Sequence, residues 1–72
     1  EGRFKESIEE CKLAVQFKPS SALAYNNMCA AYNSLHQWEE AKIACSKALA
    51  LQQDFQLARN NLNFAIQQSK PR

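Results

Sequence analysis

The chain has 72 residues, nine Lys+Arg against seven Asp+Glu for a formal charge of +2, 46% apolar and 22% charged residues, one Gly and two Pro. That length admits one small domain with a thin core, and the composition is globular rather than disordered. The mild charge argues against nucleic-acid and membrane-surface binding, the short apolar runs against a membrane span or signal peptide, and the scarcity of Gly and His against an enzyme.

Helical spacing runs through the whole chain. Phe4, Ile8, Cys11 and Val15 fall four, three and four residues apart, predicting a helix over 4–16. Pro19 stops it, because its ring forbids continuation and restricts Lys18 before it. Tyr25, Met28, Cys29, Tyr32 and Leu35 predict a second helix over 22–35, with Ser20 or Ser21 as its cap. Around His36 and Gln37 there is no Gly or Pro, and only the switch of the apolar stripe marks a break. Trp38, Ala41, Cys45, Ala48 and Leu49 then predict a third helix over 39–50. Phe55, Leu57, Ala58, Leu62, Ala65 and Ile66 predict a fourth over 55–68, capped by Asp54. The expected fold is all-α. Short connections make consecutive helices hairpins, and each broad apolar stripe needs more than one neighbour, which stacking into a right-handed solenoid supplies.

Laying residues 1–38 over 35–72 gives eight identities, against about two by chance at ordinary composition. They are Glu6/Glu40, Cys11/Cys45, Ala14/Ala48, Leu23/Leu57, Ala24/Ala58, Asn26/Asn60, Asn27/Asn61 and Ala31/Ala65. A 34-residue period therefore covers the chain.

The stretch Ala24-Tyr25-Asn26-Asn27-Met28, Ala31-Tyr32, Trp38-Glu39-Glu40-Ala41, Cys45, Lys47-Ala48-Leu49 and Leu51 resembles a tetratricopeptide repeat. The resemblance makes 22–55 one complete repeat. It makes 1–21, including Gly2 and Pro19, the loop and second half of a preceding one, and 56–72 a following first helix or cap. His36 stands where the family prefers Gly, Gln53 where it prefers Pro, and Cys29 at a place for Gly, Ala or Ser.

In that family first helices line the concave wall of the solenoid. The resemblance therefore implies a groove faced by the recurring doublets Asn26-Asn27 and Asn60-Asn61. A side-chain amide can pair with both the C=O and N–H of an extended peptide, so one Asn per repeat could grip a backbone. This is similar to the asparagine ladder of O-linked N-acetylglucosamine transferases, which falls on Asn27 and Asn61. Asn26, Asn60, Asn33 and Leu23 are further candidates for the same wall. The plainer alternative leaves Asn26 and Asn60 solvated, with Asn27 and Asn61 holding neighbouring helices. The family's other mode, a clamp for the acidic tails of heat-shock chaperones, fits poorly, since Asn26, Ala30 and Leu57 stand where Lys or an amide is wanted. The implied function is a scaffold binding a protein or extended peptide. It could also be the interaction arm of a larger enzyme such as a glycosyltransferase, or a structural or designed segment without a ligand.

The remaining chemistry-bearing residues read as structural. Cys11, Cys29 and Cys45 are odd in number and lack metal spacing, so they are expected as unpaired packing thiols, a weak pointer to a reducing, cytoplasmic setting. No catalytic residue, cofactor or metal is expected. His36 reads as a solvated loop residue. Glu9-Glu10 and Glu39-Glu40 read as ion-pairing with Lys5, Lys12 and Lys42 on outer helices. Trp38, Phe4 and Phe17 read as core, and Lys70-Pro71-Arg72 as a frayed basic tail. Self-association through the terminal helices is expected, because a fragment of about two repeats is short for a solenoid.

Overall fold

A computed structural model describes residues 2–70, and within them the chain forms four α-helices and no strand. They are α1 (Gly2–Phe17), α2 (Ala22–Ser34), α3 (Trp38–Leu51) and α4 (Gln56–Ser69). Gly2 lies inside α1, while Pro71 and Arg72 of the expected basic tail fall outside the described residues. Consecutive helices pack on one another, and α2 also touches α4. Among the described residues α1 and α3 both lie on α2 without backbone contact between them.

The seam between helices is built from small side chains. Ala41, Ala48, Ala58, Ala65, Cys29 and Cys45 are fully buried, and Ala24 and Ala31 nearly so. Residues seven apart in a helix share a face, so Ala24/Ala31, Ala41/Ala48 and Ala58/Ala65 give three helices the same narrow stripe. Small stripes allow close approach: the Cα atoms of Cys29 and Cys45 are 5.3 Å apart. Larger side chains flank the seam, with Ile8 and Met28 buried and Val15, Tyr25, Tyr32, Leu35 and Leu62 half-buried. The shortest dimension of the molecule is 14 Å, so no core residue lies deep.

That close approach overturns the expectation of three unpaired thiols. Cys29 and Cys45 form a disulfide joining α2 to α3, and Cys11 alone is free and buried. Two cysteines brought together by the Ala-lined crossing need no sequence motif to pair. The pairing also removes the ground on which a reducing compartment was expected.

The helix ends show where residue type and geometry agree. Ser21 caps α2, its Oγ accepting from the Ala24 N–H at 3.2 Å. Asp54 does not cap α4: the helix starts at Gln56, Phe55 holds the cap position, and Asp54 sits one residue too early, in the turn. Between α2 and α3, His36 takes φ of 60°. The His36 N–H donates to the Asn33 carbonyl at 3.1 Å and the Gln37 N–H to the Tyr32 carbonyl at 2.9 Å. These are the two bonds of a Schellman turn, whose left-handed position usually falls to Gly because a Cβ is costly there. His36 is exposed in the turn, as expected of a loop histidine, but its ring has neighbours. It stacks on Trp38 with centroids 5.1 Å apart, and Trp38 meets Phe64 of α4 edge-on at 5.8 Å.

Phe4 and Phe17 are not core residues. Phe4 is partly exposed and Phe17 is 90% exposed. Leu51, the repeat partner of Phe17, is exposed too; both are the last residue of their helix and lie off the buried stripe. Two of the expected ion pairs form, Lys12–Glu9 at 3.7 Å and Lys42–Glu39 at 2.8 Å, both three residues apart.

Candidate functional site

The contact between α2 and α4 creates a wall shared by two helices of equivalent sequence. On α2 the exposed residues Leu23, Asn27, Ala30 and Ser34 fall at offsets of four, seven and eleven, a single helical stripe. Their repeat partners on α4 are Leu57, Asn61, Phe64 and Gln68, of which only Asn61 is half-buried. Leu23 and Leu57 are 61% and 62% exposed, the same at both ends of the repeat.

The asparagine doublets do not keep equivalent environments. Asn26 and Asn33 are buried, Asn61 is half-buried, and Asn27 and Asn60 are exposed. Asn61 Nδ2 donates to Asn26 Oδ1 at 2.9 Å, and Asn33 Nδ2 donates to the Asn61 backbone carbonyl at 3.0 Å. These three amides form one chain across the α2–α4 contact. Asn33 Oδ1 is buried without a hydrogen-bond partner, an arrangement that costs stability unless something supplies a donor. Asn60 Oδ1 accepts from Gln56 Nε2 at 2.9 Å within its own helix.

Asn27 and Leu23 sit apart from that chain. They line a recess with Glu10, Cys11 and Ala14 of α1. The structure therefore unites Asn26, Asn33 and Asn61, and separates Asn27, Leu23 and Asn60 from them. Asn61 spends one N–H on Asn26; among the described residues its Oδ1 takes no hydrogen bond, and the Asn27 side-chain amide makes none. A second cleft opens between α2 and α4, where Asn33 and Asn61 meet His36, Trp38 and Phe64. Reading residue types missed this aromatic corner. Its signal was the 34-residue period itself, which exchanges Ala30 for Phe64 opposite Trp38.

Burial pushes the Cys11 thiol above its ordinary range, against a hydrogen bond with Ser7 and with help from the charge of Glu10. Among the described residues no group of three or more His, Cys, Asp or Glu gathers as metal ligands, and no helix is long and apolar enough to cross a membrane. No family model, curated protein or solved structure matches the chain.

Proposed function

We propose that the chain is a segment of a tetratricopeptide-type solenoid that holds an extended peptide of a partner protein along the α2–α4 wall. The carrying observation is the repeated order of residues on one stripe of two packed helices, exposed at every place but the half-buried Asn61. Leu23, Asn27 and Ala30 on α2 are followed in register by Leu57, Asn61 and Phe64 on α4. The recurrence of an exposed Leu at the same place of two packed helices supports reading the two places as one surface. The amide four residues on supplies backbone recognition that does not depend on the peptide's side chains.

The packing supports a curved stack. α2 meets α4 while α1 and α3 stay apart, so the layer of α2 and α4 is the tighter one and lies on the inside of any curve. Neighbouring packed helices lie about 8–10 Å apart, close to three residues of extended peptide, so successive amides would meet every third peptide residue.

Peptides selected for binding from a library of flexible, non-helical sequences provide the test, with affinities read by fluorescence polarisation. Asn27→Ala and Asn61→Ala should each weaken binding by about 1 kcal/mol, the net value of a hydrogen bond, with helicity preserved. Unchanged affinity in the double variant would reject the wall as the peptide site.

A further inference from the structure

The side of α2 opposite that wall carries a groove. Because α1 and α3 lie on α2 without meeting, α2 forms the floor of a trough between them. Tyr25, Met28, Tyr32 and Leu35 make the floor, three, four and three residues apart, and span about 15 Å of helix. Clefts of about 210, 280 and 340 Å³ follow one another along it. The first two share Tyr25 and Lys47, and the last two share Lys12, Tyr32 and Glu40, so the three lie side by side along the trough.

Its chemistry selects an occupant. Between the helix ends, the floor and both long walls are helix surfaces whose backbone groups are paired within the helices, so an extended peptide would find few main-chain partners there. A helix satisfies its own backbone and needs only side-chain pockets, read at spacings of three, four and seven residues. The individual clefts lie near or below the lower limit of small-molecule sites, about 300 Å³, and suit single side chains. Charge then sets polarity. At the Tyr25 end Lys47 has no carboxylate partner among the described residues, and its Nζ lies 5.6 Å from the centre of the Tyr25 ring. At the Leu35 end the rim is mixed, with Lys5 and Lys12 against Glu9 and Glu40.

We propose that this outer groove docks an amphipathic helix of a partner protein. Its aliphatic side chains enter the row of clefts and its carboxylates lie at the Lys47 end. The groove and the α2–α4 wall are on opposite faces, so occupancy of one does not require the other.

The probe is a pool of amphipathic peptides of about 20 residues, beyond the length at which isolated helices are marginal in water. Each has Leu at i, i+3, i+4 and i+7, with Glu, Lys or Gln elsewhere, and the pool is passed over the immobilised 72-residue chain. Retained peptides should be enriched in Glu over Lys towards one end. Their affinity should fall about tenfold with Lys47→Glu and at least as much with Ile43→Asp, an exposed groove-wall position. Asn27→Ala should leave it unchanged. Replacing the terminal Glu of a bound peptide by Lys should restore affinity for Lys47→Glu. Circular dichroism of both variants guards against a lost fold. The proposal is overturned by an empty selection, by no excess of Glu, or by affinities that ignore Lys47 and Ile43 and respond to Asn27.

Discussion

Asn61 of α4 donates its side-chain amide to the buried Oδ1 of Asn26 on α2, so the second member of one doublet holds the first member of the preceding one. The two residues occupy different places in the repeat, and the contact is therefore directional along the chain. It ties the helices that form the proposed peptide wall.

A double-mutant cycle on this pair should show coupling of about 1 kcal/mol. Asn61→Ala should be the costlier single change on the polar side, because it strands a buried acceptor, whereas Asn26→Ala leaves a half-exposed amide that water can serve. Urea unfolding of the four proteins measures it. Strictly additive losses would mean the bond contributes nothing to the α2–α4 contact.

His36 permits a clean separation of backbone from ring. Both His36→Gly and His36→Ala delete the stack on Trp38, but only Gly accepts φ of 60° without a Cβ clash. A left-handed residue costs about 1–2 kcal/mol, and Gly returns about 0.5–1 of that as entropy of the unfolded chain. The Gly variant should thus exceed the Ala variant by about 0.5–1 kcal/mol in thermal or urea unfolding. Equal stabilities would contradict the Schellman turn.

Cys11 should make stability fall in alkali. Its thiol is raised by burial in the folded state, so the unfolded chain deprotonates first, near pH 8.5. Stability from the buried neutral thiol is complete below that value and is lost as the pH climbs through the higher folded one. The advantage of the wild type over Cys11→Ala should shrink from about pH 8 upward. Parallel stability curves for the two proteins would show that the thiol is not the cause.

The four helices were legible because every local signal agreed: apolar spacing, Pro19 as a stop, Ser21 as a cap, and the 34-residue period repeating all of it. What escaped notice depended on contacts between distant parts of the chain. Asn26 and Asn27 are adjacent and chemically identical, and only the position of α4 decides that the first is buried and the second is not. The break at His36 was marked by the stripe switch and by the family's preference for Gly there, but nothing marked that the histidine would itself take the left-handed place and stack on Trp38. Phe17 has a core residue's chemistry but not a core residue's position. Asp54 failed as a cap by one residue, within the usual uncertainty of a helix end.

The bond between Cys29 and Cys45 spans 16 positions of sequence and encloses the turn at His36, while α1 and α4 lie outside it. In topological terms the molecule is a ring with two tails. Closing a ring of that size removes about 3 kcal/mol of freedom from the unfolded chain, and it does so only for the middle. Heat or denaturant should therefore strip the tails first, whereas a reductant attacks from the centre. Each tail carries half of a proposed binding surface: α4 bears one side of the inner wall, and α1 bears one side of the outer groove. Fraying at either end would silence one surface while the other remained in service.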